Sequence, residues 1–364
     1  MSYAAIDSID DPLLVTSTSE YAFTTSIGNL GALQRSTETD YLINANYAAR
    51  NLRSLPIETR VKDANGYVKA KSQISYDETG IYPLLDYETM MNWDDPGTDV
   101  RGNVTTTKSW TDVSANQFVQ THAQYDDFGN LRKSWDGRGN YSEISYTDNY
   151  TDTNRNSYAL PTETKSYSGS TGTGTIFTTS IKYDFNTGLP RFTTDANNQT
   201  SEIQYNDALL RPTKAIAPNG HQTITEYGVP DSSGQIPANQ RFTKVKMQID
   251  ETKWKEGYSW SDGLGRTIKS QSVDSNGDVF ALTCYDPVGR VLKTSNPFRN
   301  VSSPNCASTN LEWTTTTYDA VGRVWKVTMP DNAFVETNYG LATSGNNLGT
   351  VVTVTDQAGK QRRS

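Results

Sequence analysis

Catalysis or metal binding needs side chains that titrate, ligate or attack, and this 364-residue chain has few: two His, two Cys and one dense acidic stretch. His122 and His221 are about 100 residues apart with no Cys or acidic residue at zinc-ligand spacing, so both read as strand or turn residues. Cys284 lies in VFALTCY (279–285) with no His nearby in sequence to activate a thiolate, which favours a small buried hydrophobe over a nucleophile. Cys284 and Cys306 leave two readings open, one bridge or two idle thiols, and with them the redox compartment. NWDDPGTD (92–99) would serve glycoside hydrolysis only if two carboxylates faced each other at about 5 or 9 Å across a cleft. A solvated loop is the simpler reading. Asp274, Asn276, Gly277 and Asp278 share the grammar of a calcium loop but lack its distal bidentate Glu, so turn chemistry accounts for them. No phosphate loop, dinucleotide fingerprint or nucleophile elbow occurs. The Asn-x-Ser/Thr matches at Asn103, Asn149, Asn198 and Asn300 arise readily in a chain with 48 Thr and matter only in a eukaryotic secretory route. The expectation is no catalytic residue, no metal ligand and no cofactor: not an enzyme.

Composition narrows the classes further. Lys and Arg number 33 against 41 Asp and Glu, a net charge of −8, so no cationic footprint for nucleic acid or an anionic membrane is present. No stretch approaches the roughly 18 apolar residues of a spanning helix. The opening residues lack the basic and apolar regions of a signal peptide, so an export signal would lie elsewhere. With 48 Thr and 21 Tyr for pleated surfaces, and 26 Gly for turns, the chain reads as all-β.

The elements that would position any site come from internal repeats. YDDFGN (125–130), SDGLGR (261–266), YDPVGR (285–290) and YDAVGR (318–323) share Asp-x-x-Gly; YDETG (76–80), YDFNTG (183–188) and YNDALLR (205–211) are degenerate copies, the last with Leu210 where the glycine belongs. A second turn class alternates with the first: DANG (63–66), DGRG (136–139), DANN (195–198), APNG (217–220), DSNG (274–277), MPDN (329–332) and DQAG (356–359). Asp126 to Asp136 is 10 residues; Asp195 to Asp207, Asp262 to Asp274 and Asp274 to Asp286 are each 12. Removing a four-residue turn leaves about one ordinary strand, so the pacing predicts an antiparallel meander. The Asp is expected to accept from the amides two and three residues on, the Gly to take the left-handed conformation, and Asn-Gly to close a tighter loop. Leu210 should then be strained, or its turn different. Tyrosines recur at about 22 residues in one phase (Tyr125 and Tyr146; Tyr183, Tyr205 and Tyr227; Tyr318 and Tyr339), which places them in a file on one face. Helical periodicity is scarce, and only 41–52 admits a short helix.

Tyr-Asp-x-x-Gly-Arg followed by a strand, a second turn and another Tyr resembles the YD repeat of the Rhs family, whose relatives are bacterial polymorphic toxins, the cocoon subunits of insecticidal ABC toxins, and teneurins. Tyr285, Asp286, Gly289 and Arg290, and Tyr318, Asp319, Gly322 and Arg323, carry the full motif; Asp262, Gly265 and Arg266 lack the Tyr, and Tyr125, Asp126 and Gly129 lack the Arg. These fourteen residues are the structural repeat turns. The resemblance covers 119–364 with interruptions and 61–118 as a degenerate repeat with a long loop; 1–60 shows no motif and reads as degenerate repeats or a cap. It implies an open, spiralling antiparallel sheet, part of a β shell, that encloses or presents a toxin or effector domain absent from this chain, with further repeats as partners and a secreted or cell-surface location. The family's self-cleavage segment has an Asp-Pro-x-Gly core; Asp286-Pro287-Val288-Gly289 has another repeat downstream and reads as a turn. The last residues, 352–364, look like half a repeat, so the chain reads as a piece of a longer protein or the product of a truncated gene.

Two function classes follow: a non-catalytic shell segment, or an adhesin-like module whose exposed aromatics grip carbohydrate or protein at a cell surface. Which face buries the tyrosines separates them: a concave, sealed aromatic face fits the shell, and a solvent-open Trp/Tyr platform fits sugar binding. Long polar excursions (84–118, 148–178, 229–257, 297–312, 340–350), with tips at 169–175 and 232–240, would decorate the array edges. An open sheet also has bare terminal strands, so the isolated chain is expected either to self-associate or to cover its edges.

Overall fold

The computed structural model describes residues 2–4, 14–22, 30–85, 97, 99–170, 172–228, 241–344 and 347–364. Most of 92–99, and the 232–240 tip, lie outside them. The chain forms two compact units, Met1–Thr200 and Ser201–Ser364.

Both units are antiparallel meanders in which consecutive strands pair. In the first, Leu14–Tyr21, Leu33–Tyr41, Pro56–Asp63, Val68–Tyr76, Val104–Asp112, Gln117–Tyr125 and Leu131–Trp135 follow one another across the sheet. Asn140–Ser145, Glu163–Ser170, Ile176–Tyr183 and Pro190–Thr194 continue it. In the second, the order runs unbroken from Thr200–Gln204 to Gln361–Arg363. The fold is all-β, as the turn pacing predicts. Among the described residues the one α-helix is Ala45–Ala48, inside the segment that admits one, with Asn44 as its N-cap. No helix is long and apolar enough to cross a membrane.

Burial in the described strands is shallow. Accessible surface is 22839 Å², where a globular protein of 40.3 kDa would show roughly 14,500 Å². Most strand residues are half-buried, covered chiefly by cross-strand neighbours. In the second unit, pairing puts Lys244, Lys246, Trp254, Glu256, Tyr258, Trp260 and Lys269 on one face, and Thr243, Val245, Ser259 and Ser270 on the other. The last strand pairs on one side only, and its exposed Arg362 and Arg363 put charge on that edge.

Candidate functional site

The repeated turn is the one constellation that recurs, and its chemistry is local. In Asp286-Pro-Val-Gly-Arg290, Asp286 Oδ1 accepts from the amides of Val288 (3.1 Å) and Arg290 (2.8 Å), while Oδ2 accepts from Arg290 Nε (2.7 Å). The Gly289 amide instead donates to the Asp286 carbonyl at 2.9 Å. The side-chain acceptor therefore serves the amides two and four residues on, not two and three: the amide at the third is already used by the backbone. Asp262 and Asp319 repeat the arrangement. At Asp126 the fifth residue is Asn130, which keeps the backbone bonds without the guanidinium. The second turn class is not tighter. Asp63, Asp136, Asp195 and Asp356 take the same two amides and close the same five-residue loop.

Gly289 has φ +92, and a Cβ there would stand 2.9 Å from Nη1 of Arg266, an arginine from the preceding hairpin. Leu210 occupies the equivalent place with φ 55, so the strain expected of it is present, and the turn is also different: the Leu210 amide still donates to the Asp207 carbonyl and Arg211 grips Asp207 through Nε and Nη2, but the strands resume only at Gln204 and Lys214. Leu210→Gly is expected to raise the stability of this hairpin by about 1 kcal/mol, the left-handed penalty less glycine's extra chain entropy; hydrogen exchange of the 214–216 amides measures it.

The arginines do more than close their own turns. Each guanidinium lies over the tyrosine of the following strand: Arg211 over Tyr227 at 4.0 Å, Arg266 over Tyr285 at 4.2 Å, Arg290 over Tyr318 at 4.3 Å and Arg323 over Tyr339 at 4.0 Å. Three of these tyrosines donate their hydroxyl to the carbonyl just after the arginine: Tyr227 to Pro212, Tyr285 to Thr267 and Tyr318 to Val291. Tyr125 donates to Val104, Tyr183 to Pro161 and Tyr76 to Pro56 in the same way. So does Tyr41, to Val15, in the segment without a turn motif. Asp, Arg and Tyr together form a tie from one hairpin to the next. Sequence reading found the tie's residues but not the stacking; arginine four after the aspartate, with a tyrosine 16 to 28 residues on, is the signal that carries it.

A second pattern escaped the sequence reading altogether. On the opposite face, lysines lie over aromatic rings: Lys269 over Trp260 at 3.9 Å, Lys293 over Trp313 at 4.2 Å, Lys326 over Phe334 at 3.7 Å and Lys108 over Phe118 at 3.9 Å. In the first unit a charge lattice accompanies it, Arg60 meeting Glu58 (2.5 Å) and Asp40 (2.7 Å), with Lys71 on Glu58 at 3.0 Å. Lysine at alternate strand positions beside Trp or Phe is the signature. The 148–158 excursion is also ordered by a hub, buried Asp148, which accepts from the amides of Arg155, Ser157 and Tyr158.

The remaining candidates fall into place individually. His122 pairs with Thr106 Oγ1 at 3.1 Å and packs on Tyr82; His221 sits in an exposed turn on Asn219. Asp274 is engaged by Arg299 at 3.1 Å, and Asp278 accepts from Gln271 at 2.5 Å. Cys284 and Cys306 are joined in a disulfide, which resolves the choice left open by sequence.

One five-residue Asp turn used at both ends of the strands, and a tyrosine tie repeated between hairpins, define the class of fold: an open antiparallel hairpin-repeat sheet. No protein-family model matches the chain, and no curated protein does. Among solved structures it is similar to TcdB2–TccC3 without its hypervariable C-terminal region, with a TM-score of 0.58 and 14% identity over 89% of this chain and 22% of that one. It is similar also to TcdB2–TccC3–Cdc42 (TM-score 0.57, 13% identity, 90% and 25%) and TcdB2–TccC3–TEV (0.56, 14%, 90% and 24%). At this identity the likeness is one of fold, the fold that the YD-repeat resemblance implies. The chain spans about a quarter of the length of those structures.

Proposed function

We propose that the chain is a non-catalytic wall segment of an Rhs-type β-cage that encloses or presents an effector polypeptide carried outside this sequence. The observation that carries it is the Asp–Arg–Tyr tie: the repeat's charged and aromatic groups are spent on joining hairpins, which is what a wall needs and a catalytic cleft does not. The similar solved structures are of TcdB2–TccC3, two of them named with TEV or Cdc42 and one without a hypervariable C-terminal region, and such variation in what accompanies one scaffold fits a wall that serves a separate cargo. Within this reading, 119–364 is the array proper, 61–118 a degenerate repeat with a long loop, and 1–60 the start of the strip or its cap. Exposed Leu209, Leu264, Val288 and Val321 sit at the tips of turns on one rim, where further repeats would meet it. A secreted or surface location follows from the same reading. The carbohydrate-platform alternative has less support, because guanidinium groups occupy the tyrosine ring faces that a sugar would use.

Electron cryomicroscopy of the polypeptide as its full reading frame encodes it tests the proposal. The expected result is residues 260–340 in the wall of a closed particle with density inside. A sheet bathed by solvent on both faces, together with binding of this chain on a glycan array, would overturn it in favour of the adhesin.

A further inference from the structure

The 296–312 excursion is held to the sheet unevenly. Near its start, Phe298 exchanges two backbone hydrogen bonds with Phe280, both 2.9 Å, and Arg299 pairs with Asp274; its two ends are joined by the Asn296 amide, which donates to the Glu312 carbonyl at 2.7 Å. Between Asn300 and Ala307 the described hydrogen bonds are local, among Asn305, Ala307 and Ser308. The Trp313 indole Nε1, at the start of the Trp313–Tyr318 strand, donates to the Ser308 carbonyl at 2.9 Å; among the described contacts, what fastens 300–307 to the sheet is the disulfide from Cys306 to Cys284, 22 residues away in sequence with Cα atoms 5.9 Å apart. Leu282 and Cys284 of the sheet and Leu311 of the segment itself are the buried hydrophobic residues among those described in the second unit. A cavity of about 630 Å³ opens beside them, lined by Trp260, Lys269 and the disulfide itself.

We infer that this segment is a redox-controlled strap: the bond forms in an oxidising compartment, and a thiol reductant releases the strap from the small apolar core and cavity it covers. The two sulfurs differ in access, since Cys284 is 3% exposed and Cys306 is an exposed residue. A low-molecular-weight thiolate therefore attacks Sγ of Cys306, forming a mixed disulfide there. The Cys306–Cys284 bond breaks, and Cys284 leaves as thiolate and takes up a proton. A second thiol attacks the mixed disulfide, freeing Cys306 and yielding the oxidised reductant. The ties at Phe298 and Glu312 persist, so the middle of the segment lifts while the hairpins stay paired. The inference goes beyond the cage reading and stands without it.

The test uses the full chain, isolated without reductant and then treated with dithiothreitol, followed by hydrogen exchange and by alkylation with mass spectrometry. As isolated, neither cysteine should alkylate; after reduction both should, with at least tenfold faster exchange in 300–310 and in Leu282–Tyr285, and unchanged exchange in Trp254–Ser261 and Val324–Thr328. Cys306→Ser should exchange like the reduced form, with or without dithiothreitol; if that variant does not fold, reduction of the preformed protein remains an independent readout. Alkylation without reductant, unaltered exchange in 300–310 on reduction, or loss of protection throughout the second unit would each overturn the inference.

Discussion

A Tyr183→Ala chain is expected to lose about 3 to 4 kcal/mol of local unfolding free energy, the usual cost of removing a large buried ring. Tyr183 is 7% exposed, its hydroxyl donates to Pro161 at 2.8 Å, and its backbone exchanges bonds with Asn149 and Thr151. Tyr183→Phe separates the parts: it keeps the ring and gives up one hydrogen bond, so about 1 kcal/mol should go. Tyr318→Ala should cost less than Tyr183→Ala, because Tyr318 is only half-buried and has Arg290 on one face. Native-state hydrogen exchange of the 176–183 and 313–318 amides reads the local free energies. If Tyr183→Ala costs no more than Tyr183→Phe, the ring is not an anchor and the tie is decoration.

The second large effect is expected on acidification, and Glu58→Gln isolates it. Burial pushes the Glu58 carboxyl up, but Gln73, Arg60 and Lys71 together outweigh that and hold it down to about 2. The folded value lies below the unfolded one, near 4.3, so the folded state binds fewer protons. Its contribution is fully present above the unfolded value and is lost as pH falls from about 4 towards about 2. Asp207, Asp262, Asp286 and Asp319 are also held below the ordinary range, Asp207 and Asp262 chiefly by the arginine they grip; at Asp286 and Asp319 desolvation opposes this and is outweighed by bonds to turn amides and the guanidinium. They act in the same direction. Asp126 acts in the other: it is fully buried, and desolvation raises it despite the amides of Phe128 and Asn130. Its penalty grows as pH rises through its raised value. Glu58→Gln should be less stable than the parent chain at pH 7 and indistinguishable from it near pH 2, by urea titration across that range. A constant difference across pH would mean that the carboxylate's charge is not what stabilises the 56–63 strand.

The turns were legible because their chemistry is local: an Asp, three intervening bonds and a residue that tolerates positive φ are all within five positions, and even the misfit Leu210 announced itself. The meander followed from pacing alone. What could not be read were pairings set by the sheet. Arg290 meets Tyr318 across 28 positions, and Lys269 meets Trp260 only because register puts them opposite each other. Cys284 and Cys306 could be paired or not until the 296–312 segment was seen to fold back. Asp148 looked like one polar residue among many in 148–178, since its role depends on a loop closing around it.

A sheet covered chiefly by its own cross-strand neighbours has an evolutionary consequence. Away from the few excursions that fold back, each hairpin answers to its two neighbours, so duplicating or excising a stretch of about 22 residues disturbs two seams and little packed interior. Lineages are then free to tune the span of such a ribbon in hairpin-sized steps, and genes of this kind should differ in size by whole multiples of that unit rather than by scattered insertions.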